Sequence, residues 1–428
     1  MHRKAAPSSR RRSGPVLLSF SPNPNPNTIV DLRNFPKGMS AHERCNERRT
    51  IIEHELHTDL SALSIDPTKL GNAEEKNCEQ MFGHLPLPVG LAGPLPVTLD
   101  TGEKTVVHLP LATTEGALVA SVNRGCKALS LSGGVRTSSK QIGVTRSIAF
   151  RSSKLKAQSS KLHAWIAQSS AKWCSIGETT SKHLKILSYE IDIQKPYLFL
   201  TIACDTSEAM GMNMVTIAAQ AIGEWIAEKF NLELVTVAGN VDSDKKPSQR
   251  THDRGRGFLV TAEADVPSSV IASVFRTTPE KLLGVADAKL KVGSKLAGAI
   301  GSNLHAANII AALYLATGQD PAHVVEGSLA DTTLSSVILE RTKNQKLTTN
   351  NQQLRISVRL PALLVGIRGG GTELPAQSQC LNLLIGNEKR STQRLAQIIS
   401  AAVLAGELSL LAAQATQTLV SSHRKLAR

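Results

Sequence analysis

Aromatic residues are scarce: phenylalanine, tryptophan and tyrosine together make up 3% of the 428 positions. The core must therefore be assembled mainly from leucine, isoleucine, valine and alanine, and the many small residues favour closely packed helices. The six cysteines, at 45, 78, 126, 174, 204 and 380, include no C-x-x-C pair, which argues against a zinc ribbon or other metal site and against a disulfide framework. No uncharged apolar run reaches the ~18 residues of a membrane span, since Glu407 interrupts the most apolar stretch, 398–413. A soluble, cytoplasmic protein with no membrane span is the expectation. There is no zinc-finger spacing, no aromatic RNA-binding motif and no G-x-G-x-x-G fingerprint, so no nucleic-acid partner is expected.

Positive charge is plentiful. The formal net charge is +14, a field that attracts anions of any kind. Part of it is local, because Arg3, Lys4, Arg10, Arg11 and Arg12 precede the first acidic residue, Asp31. Residues 1–40, rich in Pro, Ser, Asn and Arg, read as a disordered basic tail; an organelle-targeting peptide of similar composition is the alternative. With 41% hydrophobic and 20% charged residues, the chain can bury a large core in two or three domains.

Apolar spacing predicts a small helical unit over 41–63, with Ile51, Ile52, Leu56, Leu60 and Leu63 on one side. A Pro/Gly loop at 85–94 leads to a strand at 105–111 and a helix at 117–129, capped by Thr113 or Thr114 and stopped by Gly133 and Gly134. Residues 147–240 read as a mixed block: helix 161–171, strand 197–203, helix 213–230, strand 234–237. Later helices are expected over 294–317, closed by Gly318, and over 392–420.

Five short constellations carry polar groups where ligands commonly bind. Asp244-Lys245-Lys246-Pro247 follows a strand and the turn Gly239-Asn240, a place for an oxyanion clamp. Glu115 opens a helix, where the dipole alone accounts for it; buried beside a lysine it would instead serve as a general acid. Ala209-Met210-Gly211-Met212-Asn213-Met214 sets a glycine before a long helix, an arrangement that brings phosphate to free backbone N–H groups, although methionines there also fit core packing. Arg368-Gly369-Gly370-Gly371-Thr372 lets backbone approach a ligand closely, as would any flexible loop. His423 is a lone histidine near the chain's end.

In their order, TTEGALVASVNRGCKA (113–128), AMGMNM (209–214), SDKKP (243–247), HAAN (305–308), GQD (318–320), GGGT (369–372) and AGELSL (405–410) resemble hydroxymethylglutaryl-CoA reductase from Glu79 to His423. The resemblance implies NADPH-dependent, two-step reduction of hydroxymethylglutaryl-CoA through mevaldehyde to mevalonate, with release of CoA. A non-catalytic relative that keeps CoA and NADPH binding is the alternative. The implied fold is α+β: a small helical N-terminal region (41–78), a large substrate domain (79–146 and 248–428), an inserted ferredoxin-like NADP-binding domain (147–236), and a catalytic connecting loop (237–247). Homodimers or homotetramers with shared sites are implied as well.

By the same resemblance, Glu115 matches the catalytic acid, Lys245 the oxyanion-stabilising lysine, Asp320 the coupled carboxylate, and His423 the proton donor to the departing thiolate. Substrate-side matches are Arg146, Asn240, Asp244, Lys246, Lys289 and Asn308. CoA-side matches are Glu79, Arg124, Lys127 and Arg276. Cofactor-side matches are Ser181, Lys182, Gly211, Met212, Asn213, Gly370 and Gly371, with Lys182 placed for the extra phosphate of NADPH. Departures from the family pattern fall at Gln80-Met81-Phe82, Glu208, Thr251-His252-Asp253-Arg254, Arg368 and a segment one residue short before His305.

Overall fold

The computed structural model describes residues 32, 35–56, 59–152, 155–338, 352–386 and 391–416. Among the described residues, nine strands form one mixed sheet: β1 (Val89–Thr98), β2 (Lys104–Ala112), β3 (Val135–Arg151), β4 (Lys185–Gln194), β5 (Tyr197–Asp205), β6 (Glu233–Thr236), β7 (Gly257–Pro267), β8 (Asp331–Ile338) and β9 (Gln352–Leu363). The main path runs β2-β1-β3-β7-β9-β8, antiparallel except for the β1–β3 pair. With helices grouped against it, the fold is α+β.

The long strand β3 belongs to two sets of neighbours. Arg136 to Gly143 pair with β7, whereas Val144 to Arg151 pair with β5. The change falls at Gly143 (φ +98°), where a Cβ would lie 2.9 Å from the Cys204 backbone nitrogen, leaving no room for a side chain. Beyond it, the second half of β3 joins β4, β5 and β6 in the antiparallel order β4-β5-β3-β6. Helices Leu155–Gln168 and Ser170–Glu178 follow β3, and Met212–Phe230 follows β5, so the chain reads β-α-β-β-α-β, the ferredoxin-like connection. Its own apolar core holds Ile148, Phe150, Trp173, Leu198, Leu200, Ile222 and Ile226.

The larger core surrounds the helix Thr392–Ala415. Its mean hydropathy of 1.8 meets the composition of a membrane span, but 94% of that window is buried inside the fold against β3, β7, β9 and the helix Leu118–Leu131. Small residues set the spacing. A Cβ on Gly125 would fall 1.9 Å from the Ala405 carbonyl oxygen, so the two helices touch backbone to backbone. Glu407, fully buried within this apolar helix, accepts the N–H groups of Leu304 and His305 (both 2.8 Å) and the Thr332 hydroxyl (2.6 Å). The shortened segment before His305 is thus held by a carboxylate from the core.

Near the N-terminus, helix Ala41–Leu56 packs Cys45 with Ile65, Leu70, Ala73 and Met81, one of the departures. Buried Arg48 bonds Glu74 at 2.9 Å and the Met81 carbonyl at 3.0 Å, so the charge is compensated where it leaves water.

Several expectations need correction. Helix Leu118–Leu131 is capped by Ala117 in a left-handed conformation (φ +72°), not by Thr113 or Thr114; the Thr113 hydroxyl accepts the Glu115 N–H instead. The helix expected over 294–317 breaks at Gly298 and Gly301, both at positive φ, and resumes as Ala306–Thr317. One helix expected over 161–171 is two, β1 takes up part of the loop expected at 85–94, and β3, β4, β7, β8 and β9 likewise stand where no strand is expected. Much of 1–40, and 417–420 of the last helix, lie outside the described residues.

The closest helix contact yields a stability prediction. Gly125→Ala should destabilise the protein by about 3 kcal/mol in denaturant unfolding, because a methyl group has to displace the Ala405 backbone. A loss below about 0.5 kcal/mol would mean the helices do not touch there.

Candidate active site

After β6 the chain turns sharply. Gly239 donates to the Ser147 carbonyl at 2.7 Å, and Asn240, Ser243 and Lys245 all adopt left-handed backbone, with φ of +68°, +53° and +57°. Three such non-glycine residues cost on the order of 1 kcal/mol each, so the surrounding structure must hold the loop in place. It does so from below, where Asp242 and Ser243 are buried, and through the Lys245 N–H, which donates to Glu326 Oε1 at 2.6 Å.

Above the loop, Lys245 Nζ stands 2.8 Å from Asp320 Oδ2. Asp320 is fixed independently. Helix Ala306–Thr317 ends at left-handed Gly318, and buried Gln319 exchanges two hydrogen bonds with the Gly366 backbone, at 2.8 and 3.0 Å. The Asp320 carboxylate then caps the turn Pro321–His323 by accepting the Ala322 N–H at 3.0 Å. Burial works to raise the Asp320 pKa, but the Lys245 ammonium and the Ala322 N–H together outweigh it and hold the carboxyl below its ordinary range.

Beneath Lys245 lies a buried ionic cluster. Arg256, 1% exposed, places Nη1 2.7 Å from Glu326 Oε1 and 3.0 Å from Asp244 Oδ1. Arg146 is held by the Thr216 hydroxyl at 2.9–3.0 Å and lies 3.4 Å from Asp244 and 3.5 Å from Asp242. Burial raises the Asp242 carboxyl above its usual range; at Asp244 burial is overcome, chiefly by Arg256, and the net shift is downward.

Lys245 and Asp320 sit on the wall of a cleft of about 950 Å³. Its lining includes Ser181, Gly211, Met212, Asn213, Gly370 and Gly371, from three segments separate in sequence. Gly211, at φ +88°, begins helix Met212–Phe230 with no side-chain cap, and a Cβ there would fall 2.4 Å from Thr206. A Cβ on Gly371 would meet the Gly318 carbonyl oxygen at 2.7 Å, whereas one on Gly370 meets only open space. The cleft therefore presents backbone donors without side chains in the way.

The family model for hydroxymethylglutaryl-coenzyme A reductase matches residues 44–428. The chain belongs to that reductase family. A reductase from Dictyostelium discoideum, 3-hydroxy-3-methylglutaryl-coenzyme A reductase 2, is 40% identical over 379 residues, covering 86% of this chain and 68% of the relative. The reductase of Methanothermobacter thermautotrophicus is 35% identical over 400 residues, covering 93% and 97%. Among solved structures, the reductase of Streptococcus pneumoniae shares the fold at a TM-score of 0.62 and 20% identity, over 86% of this chain and 96% of that one.

Against this reductase framework, the remaining expected residues fall into separate groups. Glu115 is exposed and accepts from Asn308 Nδ2 at 3.3 Å; it makes no ion pair with Lys245 among the described residues, so the buried acid beside the lysine is not found within one chain. Arg124 is engaged internally, donating to the Ser409 hydroxyl (3.1 Å) and carbonyl (2.8 Å) and stacking over Phe275. Glu79, Lys127, Lys182, Asn240, Lys246 and Arg276 are exposed and Lys289 is half-buried; Lys246 donates to the Asp244 carbonyl at 3.0 Å. His423 lies outside the described residues.

The family departures find partners. Glu208 accepts the Thr392 N–H at 2.7 Å, tying the loop before Gly211 to the start of the core helix rather than filling the cleft. His252 meets Asp331 at 2.9 Å, and Arg254 pairs with Glu190. Arg368 is exposed on the cleft wall. Sequence reasoning passed over Arg256, Glu326, Asp242 and His323. The available signals were an arginine between two glycines and a lone acid in Val324-Val325-Glu326-Gly327.

Because Asp320 ionises more readily in the folded chain than in the unfolded one, its contribution to stability is full above the ordinary aspartate range and is lost as pH falls through its depressed value. Lys245→Ala removes the largest lowering influence while burial remains. Carboxyl-carbon NMR should then show Asp320 titrating at higher pH in the variant; an unchanged titration would place the ammonium elsewhere.

Proposed function

We propose that this chain reduces hydroxymethylglutaryl-CoA to mevalonate, using two molecules of NADPH and releasing CoA. The observation that carries this reading is the Lys245 ammonium, paired at 2.8 Å with Asp320 on the wall of a cleft that also holds an uncapped helix start and a glycine triplet. NADPH fits that lining. Its phosphates would meet the backbone N–H groups at Gly211, Met212 and Asn213, its ring system the open backbone at Gly370 and Gly371, and its extra phosphate Ser181 and Lys182. When bound, NADPH supplies the hydride for each reduction.

The chain's own residues supply binding and charge. Arg146, Asn240, Asp244, Lys246, Lys289 and Asn308 would hold the carboxylate and hydroxyl of the glutaryl group; Glu79, Lys127 and Arg276, exposed around the fold, would meet CoA, and Arg124 would do so from the helix face it braces. Lys245 stabilises the oxygen that becomes negative as the carbonyl is reduced, and Asp320 keeps the ammonium aimed. Glu115 donates the proton that completes the alcohol, and His423 protonates the thiolate so that it does not attack the aldehyde again. Glu115 and Asn308 lie outside the lining of the Lys245 cleft, which supports a homodimer, alone or within a tetramer, whose sites combine Glu115 of one subunit with Lys245 of another.

Purified protein given the CoA thioester should oxidise NADPH. Lys245→Ala and Glu115→Gln should each reduce kcat by at least about a thousandfold. If sites are shared, unfolding the two variants together and refolding them should restore activity in mixed oligomers. No turnover by the unmodified protein contradicts the assignment, and no recovery on mixing contradicts the shared site.

A further inference from the structure

The polar groups behind Lys245 close into a ring. Lys245 reaches Asp320 through Nζ at 2.8 Å and Glu326 through its backbone N–H at 2.6 Å. Both carboxylates in turn face one imidazole: His323 Nε2 lies 3.7 Å from Asp320 Oδ2, and Nδ1 lies 3.3 Å from Glu326 Oε1. His323 is fully buried, and its Nε2 has no hydrogen-bond partner. The lysine is therefore gripped at its two ends by two acids that share a single histidine.

A neutral imidazole donates from one nitrogen only, whereas imidazolium donates from both. At 3.7 Å the Nε2–Oδ2 separation is too long for a hydrogen bond, so Asp320 Oδ2 is committed to Lys245. A charged His323 would compete for that same oxygen. Donor atoms of Asp244, His323 and Glu326 lie within 4.8 Å of one another, as in a cation site, but Arg256 Nη1 already stands between the carboxylates at 3.0 and 2.7 Å and supplies the positive charge.

We propose that His323 is a positioning residue for Lys245: neutral, it leaves Asp320 Oδ2 to the ammonium, and a proton on the imidazole competes for that oxygen and loosens the lysine's hold on its carboxylate. The groups around His323 make its charge consequential. Asp320 and Glu326 face it from its own turn and Asp244 from the loop after β6; Arg256, just before β7, meets Asp244 and Glu326, and the buried Tyr314 hydroxyl, from helix Ala306–Thr317, lies near Glu326 and Asp320. Counting the buried cluster, three carboxylates (Asp242, Asp244, Glu326) meet two guanidiniums (Arg146, Arg256), so one proton on His323 would balance it.

The inference rests on the proposed role of Lys245 only for its kinetic consequence, and the first measurement needs no turnover. Trace acetylation of the full chain, read by mass spectrometry, gives the reactivity of Lys245 relative to Lys229, an exposed lysine on helix Met212–Phe230. Between about pH 5.5 and about pH 8 this ratio should change at least about threefold in the unmodified protein and stay flat in His323→Gln. Superimposable curves overturn the proposal.

In steady state, His323→Gln should lower kcat by about tenfold and flatten its pH profile, with KM for NADPH and for the thioester within about twofold. A kcat profile identical to the unmodified protein's also overturns it. Should that variant not fold, His323→Asn, which also removes the imidazole and leaves the Arg256–Glu326 pair in place, must likewise flatten the labelling ratio. Absence of turnover in the unmodified protein would overturn the reductase reading while leaving the labelling result to decide the role of His323.

Discussion

A guanidinium and a carboxylate almost sealed from solvent, Arg256 and Glu326, hold the loop at 240–245 in place. Their contact at 2.7 Å offsets the burial of both charges, because each unpaired would pay a large desolvation cost. Glu326 Oε1 also receives the Lys245 N–H, and Arg256 also meets Asp244 and the Thr145 hydroxyl of β3. The pair thus joins β3, β7, the turn after Asp320 and the strained loop at 240–245. Removing one partner would leave the other unpaired at a cost of about 3–5 kcal/mol and release Lys245 from its left-handed backbone.

This arrangement depends on a rigid frame. The Gly125–Ala405 contact brings helix Leu118–Leu131 onto the core helix, and Glu407 spends its charge on the backbone just before helix Ala306–Thr317. That helix carries Asn308 near its start and leads at its end to Gly318 and Asp320. A single element thereby sets the spacing between the Glu115–Asn308 group and the Lys245–Asp320 group, on which a site shared between subunits would rely.

Much of this was legible in the residues, for identifiable reasons. The helices 118–131 and 212–230 and strands β2 and β5 carry strong apolar patterns, the first of them followed by a glycine stop, and Lys245, Asp320, Gly211 and Gly371, all named from the ordered motifs, line one cleft. β7 and β9 alternate too, with Val260, Ala262, Ala264 and Val266 inward in one and Leu354, Ile356, Val358 and Leu360 in the other. Their outward Glu263, Asp265, Arg355 and Arg359 make them look like polar loops, because those charges pair across strands, as in Arg355–Asp265 at 2.7 Å. Arg256, Glu326 and His323 act through residues far away in sequence, and local spacing carries no sign of that. Glu208 reads as a crowding substitution in isolation; only the fold shows that its carboxylate meets the Thr392 N–H.

The proposed use of one ammonium for successive reductions, of a thioester and then of the aldehyde it yields, has a direct quantitative signature. With hydroxymethylglutaryl-CoA as limiting substrate, NADPH consumption and free thiol release can be followed in the same reaction. The account predicts two NADPH oxidised for each CoA thiol set free, with mevalonate as the recovered product. One NADPH per thiol with aldehyde accumulating, or thiol release without NADPH oxidation, would contradict it.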